Sequence, residues 1–330
     1  MHNIRISPAV NLEEYLRIWK KTMEDLYWAK NHYLMDFTMA EEIGEMRADW
    51  SNEGSQFLIA SDSNEKPLGI VGYRFGEQGA QIRRWEPALI SSSDKREIRE
   101  HLLEDSMDRI RNHGCSFVIH RIKHPYGRPQ PAQHLLELYT SAGFERTHPD
   151  ALGMLTRLEK SLIEEVNEPI FELHYAHEFS EDDLVNLIVG SYASTEEERM
   201  IQGWDRSVTM PEDALATLRR LRAGAIGRTD PKLWKVATIG GTPAGLIGAN
   251  IMEREHSLVG ILGPVGVLPQ FRRRGIATQL LLLQLRDLLD MGCDLSYLGT
   301  PYNNKKAILT YEKVGFSIID RQIMLRKDLD

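Results

Sequence analysis

The chain has 330 residues and a formal net charge of −8, which is length enough for two domains that each bury a core and a poor match to nucleic acid, whose phosphates reward basic surfaces. Apolar residues make up 42% and charged residues 27%, a balance that excludes a disordered chain. The longest apolar run, Leu280–Leu283, is far too short to cross a bilayer, and two cysteines, Cys115 and Cys293, are too few for a disulfide framework or a Cys-rich metal site, so no metal and no membrane are expected.

The N-terminus MHNIRISPAV has neither the apolar core nor the cleavage site of a signal peptide, so a cytoplasmic protein is expected. An amphipathic helix is expected over 12–30 and a strand over 57–61, followed by the strand "PLGIVG" at 67–72. A long helix over 95–112 leads to a short strand opening at Cys115 and then to a helix that ends at Gly143 of "YTSAGF". The stretch 159–169 reads as a join. Beyond it the same series returns: a helix over 181–192, a strand over 233–239, "PAGLIG" at 243–248, and a long helix over 274–291. That helix carries the apolar stripe Ile276, Leu280, Leu283 and Leu288. A strand opening at Cys293 and a helix ending at Gly315 of "YEKVGF" close the series. Glycine at each of those helix ends suits a left-handed cap.

The series is a duplication. Pro67 and Pro243 lie 176 residues apart, Cys115 and Cys293 178, and Tyr139 and Tyr311 172. The last offset falls because the first copy carries an extra loop, "HPYGRPQP". Two domains follow, 1–158 and 169–330, with a linker over 159–168. The matched cysteines read as small buried residues opening strands.

"VGVLPQFRRRGIAT", residues 265–278, runs from a strand through an arginine-rich loop into the long helix of the second copy. Gly275 lets a bulky anion approach the backbone, and the first-turn amides of Ile276, Ala277 and Thr278 have no helical partner. With Arg272, Arg273 and Arg274 they form a cradle suited to a diphosphate.

Arg272-x-x-Gly275-x-Ala277 after Val267-Leu268-Pro269 resembles the acyl-CoA signature of the GNAT superfamily of N-acyltransferases. Asn304, Ala307, Tyr311, Gly315 and Phe316 match a second family element, N-x-x-A-x-x-x-Y-x-x-x-G-F. The resemblance implies an α/β (α+β) fold: two tandem GNAT-like domains, each a mixed, mostly antiparallel twisted sheet flanked by helices. The tandem arrangement with an active second half is similar to that of mycothiol synthases. It further implies acetyl-CoA as co-substrate, with Pro264, Val265, Gly266 and Val267 along its pantetheine arm and a backbone N–H near Val265 polarising the thioester carbonyl. Asn304 would bond the pantetheine or fix its loop, and Tyr311 would supply the proton to the departing thiol. Tyr139 at the matching place of the first copy leaves a packing role for Tyr311 open as well.

The first copy reads as degenerate. At an offset of 178, Glu97 stands for Gly275, Arg99 for Ala277 and Asp94 for Arg272, so a diphosphate would meet bulk and like charge. One departure touches the second copy too: many family members place a glutamate before the arginine loop, where this chain has Ile261. Glu253, Glu255 or a water chain are the candidates to accept the amine's proton. The acceptor is expected to be a small-molecule amine, with the net charge of −8 leaning towards a cationic one, seated by Glu196, Glu197, Glu198, Trp204 or Asp205. A catalytically silent CoA-binding sensor is the alternative, and a nucleic-acid binder using Arg272–Arg274 a third reading.

Overall fold

The computed structural model describes residues 4–23, 42–83, 85–90, 96–127, 130–147, 149–160, 168–202, 206–254 and 257–329. The chain forms two compact units, Met1–Thr147 with Asp320–Asp330, and His148–Ile319. Each has its own hydrophobic cluster.

In unit 1 the strands are β1 (Arg5–Pro8), β2 (Ser55–Ser61), β3 (Pro67–Phe75), β4 (Gly79–Ile82), β5 (Ala88–Leu89), β6 (Phe117–Pro125) and β7 (Glu145–Arg146). The sheet runs β1-β2-β3-β4-β6, β5 pairs with β3, and residues 320–328 of the chain's final strand lie antiparallel on β6. Helices α1 (Leu12–Thr22), α2 (Arg96–Asn112) and α3 (Gln130–Ser141) accompany it. The sequence sets α1 through its ends. The Asn11 side chain accepts the Glu14 N–H at 3.1 Å, with Glu13 and Glu14 in the first turn and Lys20 and Lys21 in the last, each charge opposing the helix dipole. Tyr15, Leu16, Ile18 and Trp19 form its buried face.

Unit 2 holds β8 (Ala151–Arg157), β9 (Glu172–Tyr175), β10 (Trp234–Ile239), β11 (Thr242–Arg254), β12 (Ser257–Val267) and β13 (Leu295–Pro301), in the order β8-β13-β12-β11-β10-β9. The final strand, β14 (Ser317–Asp328), begins here and continues into unit 1. The helices are α4 (Glu181–Tyr192), α5 (Glu196–Gln202), α6 (Arg206–Thr209), α7 (Pro211–Arg222), α8 (Ile276–Asp290) and α9 (Lys305–Lys313).

Among the described residues the strands of each unit pair mostly antiparallel, with one parallel ladder in each. In unit 1 it runs from Gly79↔Phe117 to Ile82↔His120, and in unit 2 from Val259↔Leu295 to Leu262↔Leu298. The duplicated sequence thus gives duplicated topology.

Among the boundaries that differ from those read in the sequence, two have a plain physical cause. The compact units are not divided at 158 and 169, because β8 pairs with β13 while residues 320–328 pair with β6; ladder hydrogen bonds, not sequence similarity, set which strand belongs to which core. Helix α8 begins at Ile276 rather than at Arg274, because Arg273 and Gly275 adopt left-handed backbone, φ +60° and +84°. The expected continuation of α1 over 24–30 lies outside the described residues. Gly143 and Gly315 have φ of +85° and +91°, as glycine helix ends require. Cys115 and Cys293 are both buried, and burial pushes the Cys293 thiol up to about 11, so it stays a thiol. No described helix is long and apolar enough to cross a membrane.

Candidate functional site

After Leu262↔Leu298 the strands β12 and β13 no longer pair, although each runs on, to Val267 and to Pro301. A cavity of about 280 Å³ opens beside this break. Gly263, Pro264 and Gly299 to Pro301 line it from the strands, and Ile188, Tyr192, Val208 and Leu218 from helices α4, α6 and α7. Asn304 and Tyr311 of the α9 segment complete the wall.

Asn304 starts α9. Its Oδ1 accepts the Ala307 N–H at 3.4 Å, and seven residues on, two helical turns later, Tyr311 comes onto the same face. Its ring packs edge-on against Phe316, with centroids 6.2 Å apart. Burial pushes the Tyr311 phenol up to about 12, so it keeps its proton throughout the neutral range. Among the described residues its hydroxyl has no hydrogen-bond partner.

The arginine loop turns sharply into its helix: Arg273 and Gly275 are left-handed, and α8 starts at Gly275 with no side chain capping it. A Cβ at Gly275 would meet nothing within 4 Å, so the space beside Gly275 is open. Arg273 and Arg274 are exposed; Arg274 lies over the Phe271 ring at 5.7 Å.

Arg272 is placed differently from its neighbours. Its guanidinium donates to the Val267 carbonyl at 2.9 Å, to the Ser191 carbonyl at 2.9 Å and to the Glu198 carboxylate. Burial raises the Glu198 carboxyl, but the Ser194 hydroxyl and Arg272 outweigh it and hold the group below the ordinary carboxylate value. Arg272 therefore fastens the end of α4 and the start of α5 to the loop. Sequence reasoning gave it the same work as Arg273; the structure separates them.

Tyr192, which sequence reasoning passed over, sits against Val265. The Val265 N–H donates to the Tyr192 hydroxyl at 2.7 Å, and that hydroxyl donates to the Val265 carbonyl at 2.5 Å. No local pattern in α4 announces a pairing with a residue 73 positions further on.

Among the described residues, buried side chains occupy the matching place in unit 1. Past Ile82↔His120, Trp85 is fully buried and its indole N–H donates to the Lys123 carbonyl on β6. Glu86 is fully buried too, accepting hydrogen bonds from the Tyr15 hydroxyl at 2.8 Å and from the Gly72 N–H. The Tyr139 hydroxyl donates to the Glu86 carbonyl at 2.7 Å, its ring stacked on His120. Glu97, the residue matching Gly275, stands in the first turn of α2; Asp94 lies outside the described residues.

Residues 198–316 match the Acetyltransferase (GNAT) family. The matched stretch lies within unit 2. The chain is 37% identical over 79 residues, 23% of its length, to N-alpha-acetyltransferase 30 of Dictyostelium discoideum, and it spans 43% of that relative. Among solved structures, a tandem GNAT protein from the clavulanic acid biosynthesis pathway superposes with a TM-score of 0.59 at 15% identity, over 99% of this chain and 98% of that one. A GCN5-related N-acetyltransferase from Sphaerobacter thermophilus superposes at 0.61 with 16% identity, covering 98% and 95%. At such identities the likeness is one of fold, and the fold is that of a tandem GNAT protein.

Within unit 2 the remaining candidates scatter. Ile261 lies in the ladder itself, opposite Asn250 and Tyr297. Glu253 is exposed near the β11–β12 turn, 3.8 Å from Arg228, and is not part of the cavity wall. Glu196 and Glu197 are exposed. Glu255, Trp204 and Asp205 lie outside the described residues.

Proposed function

We propose that the chain is an acetyl-CoA-dependent N-acetyltransferase, with unit 2 carrying the reaction by direct attack of a small-molecule primary amine on the thioester. The observation that carries this reading is Tyr311. Its phenol is buried, protonated to about pH 12 and unpartnered among the described residues, on the wall of the cavity where β12 and β13 part.

The residues present suit acetyl-CoA. The open space beside Gly275, the amides of Ile276, Ala277 and Thr278, and the exposed Arg273 and Arg274 match a diphosphate. The backbone of Val265–Val267 is the support for the pantetheine arm. When bound, acetyl-CoA supplies an acetyl group on a thiol leaving group. The chain's own part is to place donors where charge develops. The Val265 N–H is the donor for the thioester carbonyl, and the Tyr311 O–H is the donor for the departing sulfur. A thiol of pKa about 8.5 is a stronger acid than a phenol at about 12. Tyr311 therefore steadies the thiolate with a hydrogen bond rather than giving up its proton outright. Asn304 caps α9 and so fixes Tyr311; Arg272 holds the loop in shape.

The cavity's described lining carries no Asp, Glu, His, Lys or Arg. That favours an acceptor whose body is uncharged, in place of the cationic one expected from Glu196–Glu198, and it favours an amine that arrives neutral or releases its proton to water. Thiol release from acetyl-CoA with a panel of monoamines and diamines tests the proposal. Turnover with at least one amine, abolished or strongly reduced in Tyr311→Phe, is expected. The same missing carboxylate favours, as a second reading, a sensor that binds CoA without turning it over; acetyl-CoA binding with no thiol release for any amine would select it.

A further inference from the structure

The paired hydrogen bonds between Tyr192 and Val265 have a geometric origin. In an extended strand the N–H and C=O of one residue leave from the same edge. The edge at Val265 lies beyond the last β12–β13 rung, Leu262↔Leu298, so a hydroxyl stands where a neighbouring strand would otherwise pair. Close packing fixes it there. Tyr192 is the last residue of α4, and a Cβ on Gly266 would come within 2.5 Å of the Ser191 side chain. Glycine at 266 thus lets the end of α4 approach β12 closely enough for the hydroxyl to reach both groups.

We propose that Tyr192 is a positioning residue: its hydroxyl holds the Val265 N–H and carbonyl while the thioester site is empty, and yields them when acetyl-CoA binds. The inference rests on the function proposed above, which asks the Val265 N–H to serve the thioester carbonyl. That N–H points at one acceptor at a time, and in this structure the acceptor is Tyr192 Oη, at 2.7 Å. Cofactor binding therefore exchanges two internal hydrogen bonds for new ones, and the empty site keeps its strand edge satisfied. Tyr192 also lines the cavity, so the displaced hydroxyl reshapes the wall that the amine meets.

Tyr192→Phe keeps the ring and removes only the hydroxyl. Acetyl-CoA dissociation constants by calorimetry, melting midpoints with and without acetyl-CoA, and amide hydrogen exchange over residues 263–267 are to be compared with the wild type. Loss of the internal competitor should tighten acetyl-CoA about three- to tenfold. The midpoint of the free protein should fall while that of the bound protein holds, and exchange at 263–267 should quicken only in the free variant. An unchanged or weaker affinity, or an equal fall of both midpoints, would overturn the inference and leave Tyr192 a packing residue. Absence of acetyl-CoA binding by the wild type would instead overturn the proposed function, and this inference with it.

Discussion

The hydroxyl of Tyr139 donates to the backbone carbonyl of Glu86 at 2.7 Å, and that bond separates two tyrosines the sequence presents as equivalents. Tyr139 is consumed in closing the strand break of unit 1. Tyr311, 172 residues later, faces a cavity at the matching break of unit 2. Removing each hydroxyl should therefore do opposite things. Tyr311→Phe should lower kcat about 10²-fold, the scale of losing one donor to a developing charge, with little change in melting midpoint. Tyr139→Phe should cost about 1 kcal/mol of stability and leave kcat near the wild-type value. Steady-state kinetics and chemical denaturation on both variants check the pair; a stable, fully active Tyr311→Phe enzyme would assign Tyr311 to packing.

The cradle has its own test. Gly275→Glu writes in the residue found at position 97, where the matching site of unit 1 carries a carboxylate. The left-handed φ of +84° costs a residue with a Cβ about 1 kcal/mol, and the carboxylate repels a diphosphate. Acetyl-CoA affinity should drop at least about tenfold while the fold persists. Gly275→Ala carries the backbone cost without the charge and should fall between. Equal affinities across the three proteins, measured by calorimetry, would remove the cradle.

Glu86 gives unit 1 a pH signature. Burial pushes its carboxyl up from 4.5 to about 7, against the opposing effects of Arg83, Tyr15 and Gly72. Because the folded value is the higher, folding takes up a proton between those limits. The group's favourable contribution is complete below about pH 4.5 and is lost as pH rises through about 7. The urea midpoint attributable to this group should be higher at pH 5 than at pH 8, and Glu86→Gln should shrink the difference. An identical pH dependence in the variant would refute the assignment.

The pH–rate profile should follow the substrate. With no carboxylate or imidazole in the described cavity lining, the rising limb should track the acceptor's own amine pKa and move when the amine is changed. Tyr311, protonated to about 12, should impose no falling limb in the neutral range. A rising limb fixed at one pKa for every amine would point to a general base of the protein.

Much of this was legible in the sequence, for identifiable reasons. The paired motifs at 67 and 243 and the two glycine-ended helices are short, local patterns, and each became the element expected of it. The arginine loop was readable because Gly275 has no side chain and the helix after it is strongly apolar. What escaped was long-range. Residues 320–328 pair with β6, nearly 200 positions back, and the buried Lys123–Asp320 ion pair at 3.2 Å sits where the strand enters. The engagement of Arg272 by Glu198, and of Val265 by Tyr192, is equally non-local. A cation in a signature motif reads as a ligand contact until its acceptors are seen.

The most direct measurement is a crystal structure of the full chain grown with acetyl-CoA. The diphosphate should lie against the amides from Gly275 to Thr278, the thioester should point into the cavity beside Tyr311, and the Tyr139–Glu86 region of unit 1 should stay closed. Density for the nucleotide beside Glu97, with the Gly275 loop empty, would contradict the account.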